Sequence, residues 1–212
     1  MGPTGELLTV HSASLREKVA REAAALLYAG MEKEFKQAKL KASKTLRTHF
    51  LPTNLEVALE IDKLAGEREG PARQQRLVKM RKGALELMQI LKDYSPLLTG
   101  SVWRGTIHYA SDIDIVACHD EPTDILNVLK QKRVQIIQTE SVAVTKGGKR
   151  KGSFHIYAAL PDEEKAEIKV VSRVEASRGE KCEIYGDQIR GLRIEELAEM
   201  LQRDPLQRFL PS

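Results

Sequence analysis

Cysteine is nearly absent: the 212 residues hold only Cys118 and Cys182. Two distant thiols make neither a disulfide framework nor the paired spacing of a zinc site. They read as reduced thiols, and a cytoplasmic location is expected. Long apolar runs are missing too. No stretch approaches the ~20 residues that a membrane helix needs. The opening "MGPTGELLTVHSAS" has no basic segment followed by an apolar one, so no secretory signal is expected. No internal repeat is evident. The Gly-Lys pair in "TKGGKRKGS" has no Ser or Thr where a Walker A loop requires one.

Charge of one sign is not in large excess either, since 34 Lys+Arg face 30 Asp+Glu. Its placement says more. Met1 to Tyr94 hold 17 basic against 12 acidic residues, or +5, and the remainder 17 against 18, or −1. The N-terminal part therefore suits either a polyanionic partner or a solvated helical surface. With 42% hydrophobic and 30% charged residues the chain reads as folded rather than disordered. Its length allows one domain, or two small ones, with a real core.

The first part has helical texture. Ser14 with Glu17 forms a capping-box pattern, and apolar residues recur at helical spacing from Leu15 to Ala38, which predicts one helix over 14–46. "LPTN" interrupts it. Thr53 with Glu56 opens a second helix, and Pro71 opens a third that runs to about Tyr94. After Ser95-Pro96 come short apolar runs at 97–99, 113–117, 134–144, 154–160 and 166–171, which read as strands. "PTDILNVLKQK" lies among them as a helix with Thr123 as its N-cap. "IEELAEMLQ" closes the chain as a helix, and "DPLQRFLPS" reads as a tail. The expected fold is α+β: a mixed sheet with helices on one side, preceded by an N-terminal helical region. A boundary near residue 70 gives a helical region, 1–70, for acceptor or partner binding, and a sheet domain, 71–212.

The stretch "LLTGSVWRGTIHYASDIDIVA", residues 97–117, carries the chemistry. In a strand, Asp112 and Asp114 project from one face, ~6–7 Å apart, while Ile113 and Ile115 point into the core. Two carboxylates on such a strand are costly without a compensating cation, and their oxygens suit Mg²⁺. Upstream, Gly100-Ser101 ends a strand where missing Cβ bulk and free backbone N–H groups let a phosphate approach. Phosphates at one end and Mg²⁺ at the other describe a nucleoside triphosphate site.

This segment resembles the DNA polymerase β-like nucleotidyltransferase superfamily. The signature of that family is Gly-Gly or Gly-Ser, a spacer of about ten residues, then Asp-x-Asp between apolar residues. Gly100-Ser101, Val102 to Ser111 and Asp112-Ile113-Asp114 match it, with Arg104-Gly105 and Ser111 as further points of likeness. The resemblance covers roughly residues 85–175. It implies transfer of a nucleoside monophosphate with release of pyrophosphate, by two Mg²⁺ held about 3.5–4 Å apart. Asp112 and Asp114 would hold the metals. Gly100, Ser101 and Ser111 would line the nucleotide, and Arg104 would neutralise the departing pyrophosphate. The family also supplies a third carboxylate from a later strand. Glu167 in "AEIKVVSR" takes that place in one alignment, whereas another puts Lys169 there and leaves a degenerate site.

The resemblance further implies ATP as the nucleotide and RNA, such as tRNA, or a protein as acceptor. Antitoxin-type members that bind and AMPylate helical HEPN-type toxins fit the same motif. So does a nucleotide-binding module without turnover. Aminoglycoside modification also fits, while a CCA-adding or template-dependent polymerase lacks room for its further domains. Lys146, Lys149, Arg150 and Lys151 share one hairpin tip that could touch a nucleic-acid backbone, or simply be solvated. Trp103 could pack on a base but more ordinarily covers the core, and His108 and His155 could act in proton transfer but more ordinarily are structural or exposed.

Overall fold

The computed structural model describes residues 4–146 and 149–211, with side chains for 14–142 and 152–211. Gly147 and Gly148, and the side chains of the basic hairpin tip beside them, lie outside the described residues. The chain forms two compact units. One takes the residues up to Arg73 with His108–Ala110 and Glu183–Gly186, and the other takes Gln74–Ile107, Ser111–Cys182 and the chain from Asp187 onward.

In the first unit the single helix expected over 14–46 is two: α1 (Thr4–Tyr28) and α2 (Phe35–Thr45). Gly30 is the cause. It adopts φ 68°, its N–H bonds the Leu27 carbonyl, and the N–H of Met31 reaches back to Leu26. That pattern is a helix stop built on a left-handed glycine. Ser14 lies inside α1 and caps nothing. The box at Thr53 and Glu56 does form, with the Glu56 N–H donating to Thr53 Oγ1 at 3.1 Å and the Thr53 N–H to Glu56 Oε2 at 2.6 Å. It opens α3 (Asn54–Ile90), whose helical backbone is broken at Gly70 just before Pro71. Val19, Ala23, Ala24, Ala38, Ala42 and Val57 form this unit's core, and small side chains let the helices approach closely.

The second unit is built on a sheet of β1 (Leu97–Thr99), β2 (Ile113–Cys118), β3 (Gln135–Lys146), β4 (Lys149–Ala159) and β5 (Lys165–Val171). Their order is β1-β2-β5-β4-β3, with β2 and β5 parallel and the other pairs antiparallel. The fold is the mixed α+β one. Ile113, Ile115, Ile156, Ile168 and Val170 point to one face, where they meet Met80, Leu87 and Met88 of α3. Ile125 and Leu129 of α5 (Pro122–Gln131) and Leu197 of α7 (Ile194–Arg203) complete that core. Alternation puts the polar residues of the same strands on the opposite face. Pro122 opens α5 with Glu121 as its N-cap, two residues earlier than Thr123 would give.

The C-terminal "tail" is no loose end. Arg81, fully buried on α3, donates to the carbonyls of Val102 (3.1 Å), Trp103 (3.0 Å), Pro205 (2.7 Å) and Gln207 (2.8 Å). Burial pulls its guanidinium down to about 10, still charged at neutral pH. One cation thus ties the short helix α4 (Gly100–Arg104) to the last residues. Replacing Arg81 by Met leaves several buried carbonyls without donors, each costing ~1–3 kcal/mol. Arg81→Met is expected to lose about 3 kcal/mol or more of stability in urea denaturation, whereas a solvated-face change such as Lys132→Met stays within ~0.5 kcal/mol.

Candidate active site

Strand register builds the polar face. Thr99 of β1 pairs with Asp114 of β2, Asp114 with Glu167 of β5, Glu167 with Tyr157 of β4, and Tyr157 with Gln138 of β3. Asp114 and Glu167 are therefore direct neighbours across parallel strands. Lys169 sits in the next row, opposite Val116, and its Nζ bonds Glu180 at 3.0 Å. The register puts Glu167, not Lys169, beside the Asp-x-Asp pair.

Asp114 is half-buried, and Asp112, just before β2, is exposed. The Asp114 carboxylate lies against Gly100, so closely that a Cβ there would stand 1.9 Å from Oδ2. Gly100 also has φ 68°. Both facts require glycine at the turn between β1 and α4. Ser101 follows in the first turn of α4, partly exposed, where backbone N–H groups have no intrahelical acceptor. The Gly-Ser turn and the second aspartate are thus in contact.

The electrostatics are those of an uncompensated acidic patch. Burial, then Glu167, then Asp112 push the Asp114 carboxyl up to about 7. Asp112 is raised too, by burial and by Glu167 and Glu164, with Lys165 and Arg76 partly offsetting this. Arg76 also shapes the site. It clamps Glu164 through Nε at 3.0 Å and Nη2 at 2.7 Å, and Nη2 donates to the Ser111 carbonyl at 2.9 Å. The residue before Asp112 is thereby fixed to the start of β5.

Glu167 is engaged on its own face. Its Oε1 meets His155 Nδ1 at short range, and His155 Nε2 lies 2.7 Å from Ser153 Oγ. Among the described residues no three His, Cys, Asp or Glu side chains close around one point as a metal cage. The two aspartates and Glu167 share a face without forming such a cage.

Arg104 does not serve as expected. It is 3% exposed and pairs with Asp187 at 2.7 Å. It also donates to the Phe209 carbonyl at 3.1 Å and lies over the Trp103 ring. The side chain turns inward because α4 presents its last turn to the C-terminal segment, so it is a structural cation rather than a pyrophosphate ligand. Ser111 is buried and touches the site through its backbone carbonyl. Trp103 is buried against Phe209. His108 belongs to the other unit, beside Tyr28. The sequence reading missed Arg76, Arg81, Glu164 and Ser153. Period-two alternation in "SFHIYAA" already puts Ser153, His155 and Tyr157 on one face, but the arginine clamps leave no local pattern.

The geometry is that of a half-open sheet face with paired acids beside a Gly-Ser turn. The family comparison goes one step further. Residues 77–171 match the model of the nucleotidyltransferase domain family. Among solved structures, a cytoplasmic RNA terminal U-transferase is 18% identical over 45% of this chain and 30% of its own, with a TM-score of 0.31. Cid1 with the UTP analog UMPNPP is 14% identical over 56% and 37%, at 0.32. A GLD-2/RNP-8 complex is 14% identical over 59% and 45%, at 0.34. The chain thus spans less than half the length of these proteins. No curated protein matches it. No helix of the described residues is long and apolar enough to cross a membrane.

Asp114 gives a pH test. Its folded pKa stands above the ~3.9 of an unfolded aspartate, so the folded state holds the extra proton and stability falls as pH rises from about 4 to 7. Asp114→Asn removes this penalty. Without divalent cations the variant is expected to exceed the parent by about 4 kcal/mol at pH 8, with no gain below about pH 4, in denaturant titrations.

Proposed function

We propose that this chain catalyses Mg²⁺-dependent transfer of a nucleoside monophosphate, AMP from ATP, to a hydroxyl of a macromolecular acceptor, RNA or protein, in the cytoplasm. The observation that carries the reading is the contact of the Asp114 carboxylate with Gly100, with Glu167 in the adjacent register position. The choice of ATP rests on the family resemblance. The N-terminal helical region, 1–70, would present the acceptor to the domain at 71–212.

The donor set fits Mg²⁺. It is all carboxylate oxygen, and the upward push on Asp114 and Asp112 is the penalty a divalent cation would relieve. Asp112, Asp114 and Glu167 would hold two such ions, which supply charge neutralisation for the triphosphate and the attacking oxygen. Ser101 and the first-turn N–H groups of α4 would hold the β and γ phosphates, and the narrow Gly100 turn sets them against the acids. With Arg104 committed elsewhere, the chain's own contribution is positioning and exclusion of bulk at that turn. The acceptor oxygen forms a bond to the α-phosphorus as the bond to the bridging oxygen breaks. Pyrophosphate leaves with that electron pair, and the hydroxyl proton passes to solvent.

Incubation with each labelled triphosphate, Mg²⁺ and fractionated RNA or protein tests this. Label from ATP is expected in one fraction. Asp112→Asn and Asp114→Asn, each still folded by circular dichroism, are expected to reduce transfer ~10²–10⁴-fold. Parent-level transfer in both variants overturns the assignment. Triphosphate binding without pyrophosphate release for any acceptor leaves a nucleotide-binding module instead.

A further inference from the structure

The reading above leaves unused a line of polar side chains on the same sheet face, Ser153 and His155 of β4. Register sets His155 opposite Lys169 and Tyr157 opposite Glu167. His155 therefore meets Glu167 along a diagonal, a spacing that long side chains bridge. Its side chain is 14% exposed, with Tyr157 stacked alongside at 6.5 Å. Chemistry sets the direction of the bond to Glu167. An ionised carboxylate only accepts, so Nδ1 carries the hydrogen given to Oε1 of Glu167. The other ring nitrogen, Nε2, pairs with the Ser153 hydroxyl at 2.7 Å.

We infer that His155, seated by Ser153, is a positioning residue for Glu167: it holds Oε1 of that carboxylate so that Oε2 is the oxygen offered to the divalent cation. The inference rests on the assignment of Asp112, Asp114 and Glu167 as the cation site. Glu167 alone is a flexible side chain on an open face, and fixing it costs rotamer entropy when the cation binds. A histidine locked by a second hydrogen bond has already fixed one of its oxygens. Residues that hold ligating groups in this way typically change metal affinity by about 10–100-fold when removed.

The test is direct binding of Mn²⁺ to the full chain by calorimetry, with a non-hydrolysable triphosphate present, alongside the nitrogen NMR of the parent imidazole. His155→Leu is expected to weaken Mn²⁺ binding about 10–100-fold. His155→Asn should recover most of the loss, because its amide nitrogen takes the place of Nδ1. Binding at parent strength, or tighter, in His155→Leu overturns the inference while Asp114→Asn, which must lose Mn²⁺, still upholds the site. Equal Mn²⁺ binding in the parent and Asp114→Asn overturns the site and the inference together. The NMR needs no variant: hydrogen on Nδ1 supports the role, and a bare Nδ1 with hydrogen on Nε2 overturns it.

Discussion

Negative charge held against a sheet, in a place where little offsets it, is the constraint on which the second unit turns. Asp114 is half-buried, leans on Gly100 and faces Glu167 across the parallel pair of strands. Burial outweighs either carboxylate in raising its pKa. An ion pair would remove the penalty permanently, and the fold has cations at hand in Arg76 and Lys165. Both bear on Asp112, and neither figures at Asp114. Stability is given up at this one point, a cost that the proposed cation site would offset.

The fold can carry that cost because distant segments are tied together by arginines, two of them, Arg81 and Arg104, buried. Arg81 joins α4 to the residues after α7, Arg104 joins the end of α4 to Asp187 and Phe209, and Arg76 joins the entry of β2 to that of β5. Each spans a large stretch of sequence and lands on a segment adjoining the Gly-Ser turn or the Asp-x-Asp strand. Hydrophobic contacts on the other face position the strands as a sheet. The arginines set where the ends of those strands stop.

Local rules made much of this legible in advance. Period-two alternation gave β2 and the inward pair Ile113 and Ile115, and the Thr53–Glu56 box gave the start of α3. The Gly-Ser and Asp-x-Asp spacing pointed to the contact between turn and strand because both are short-range features of chain geometry. What stayed hidden was long-range. Nothing near Arg104 tells that Asp187 and Phe209 will claim it, so a cation in the spacer reads as a phosphate ligand. Gly30 was a visible stop signal overridden by an apolar pattern that runs straight through it, and Met31, part of that pattern, is 60% exposed. The choice between Glu167 and Lys169 was a one-row question of register. The pairing of β2 with β5 sets Glu167 opposite Asp114 and Lys169 opposite Val116.

The kind of group that meets Glu167 follows from the same constraint. A lysine or arginine at position 155 would hold the carboxylate firmly, but it would also cancel the charge that draws a cation and would repel that cation on arrival. A serine or threonine is too short to cross the diagonal between β4 and β5. An imidazole reaches, donates through one nitrogen while neutral, and accepts through the other. Ser153, two residues away on the same strand face, meets the second nitrogen at 2.7 Å. On the proposed assignment, an imidazole there would orient the acid through one oxygen and leave the other open.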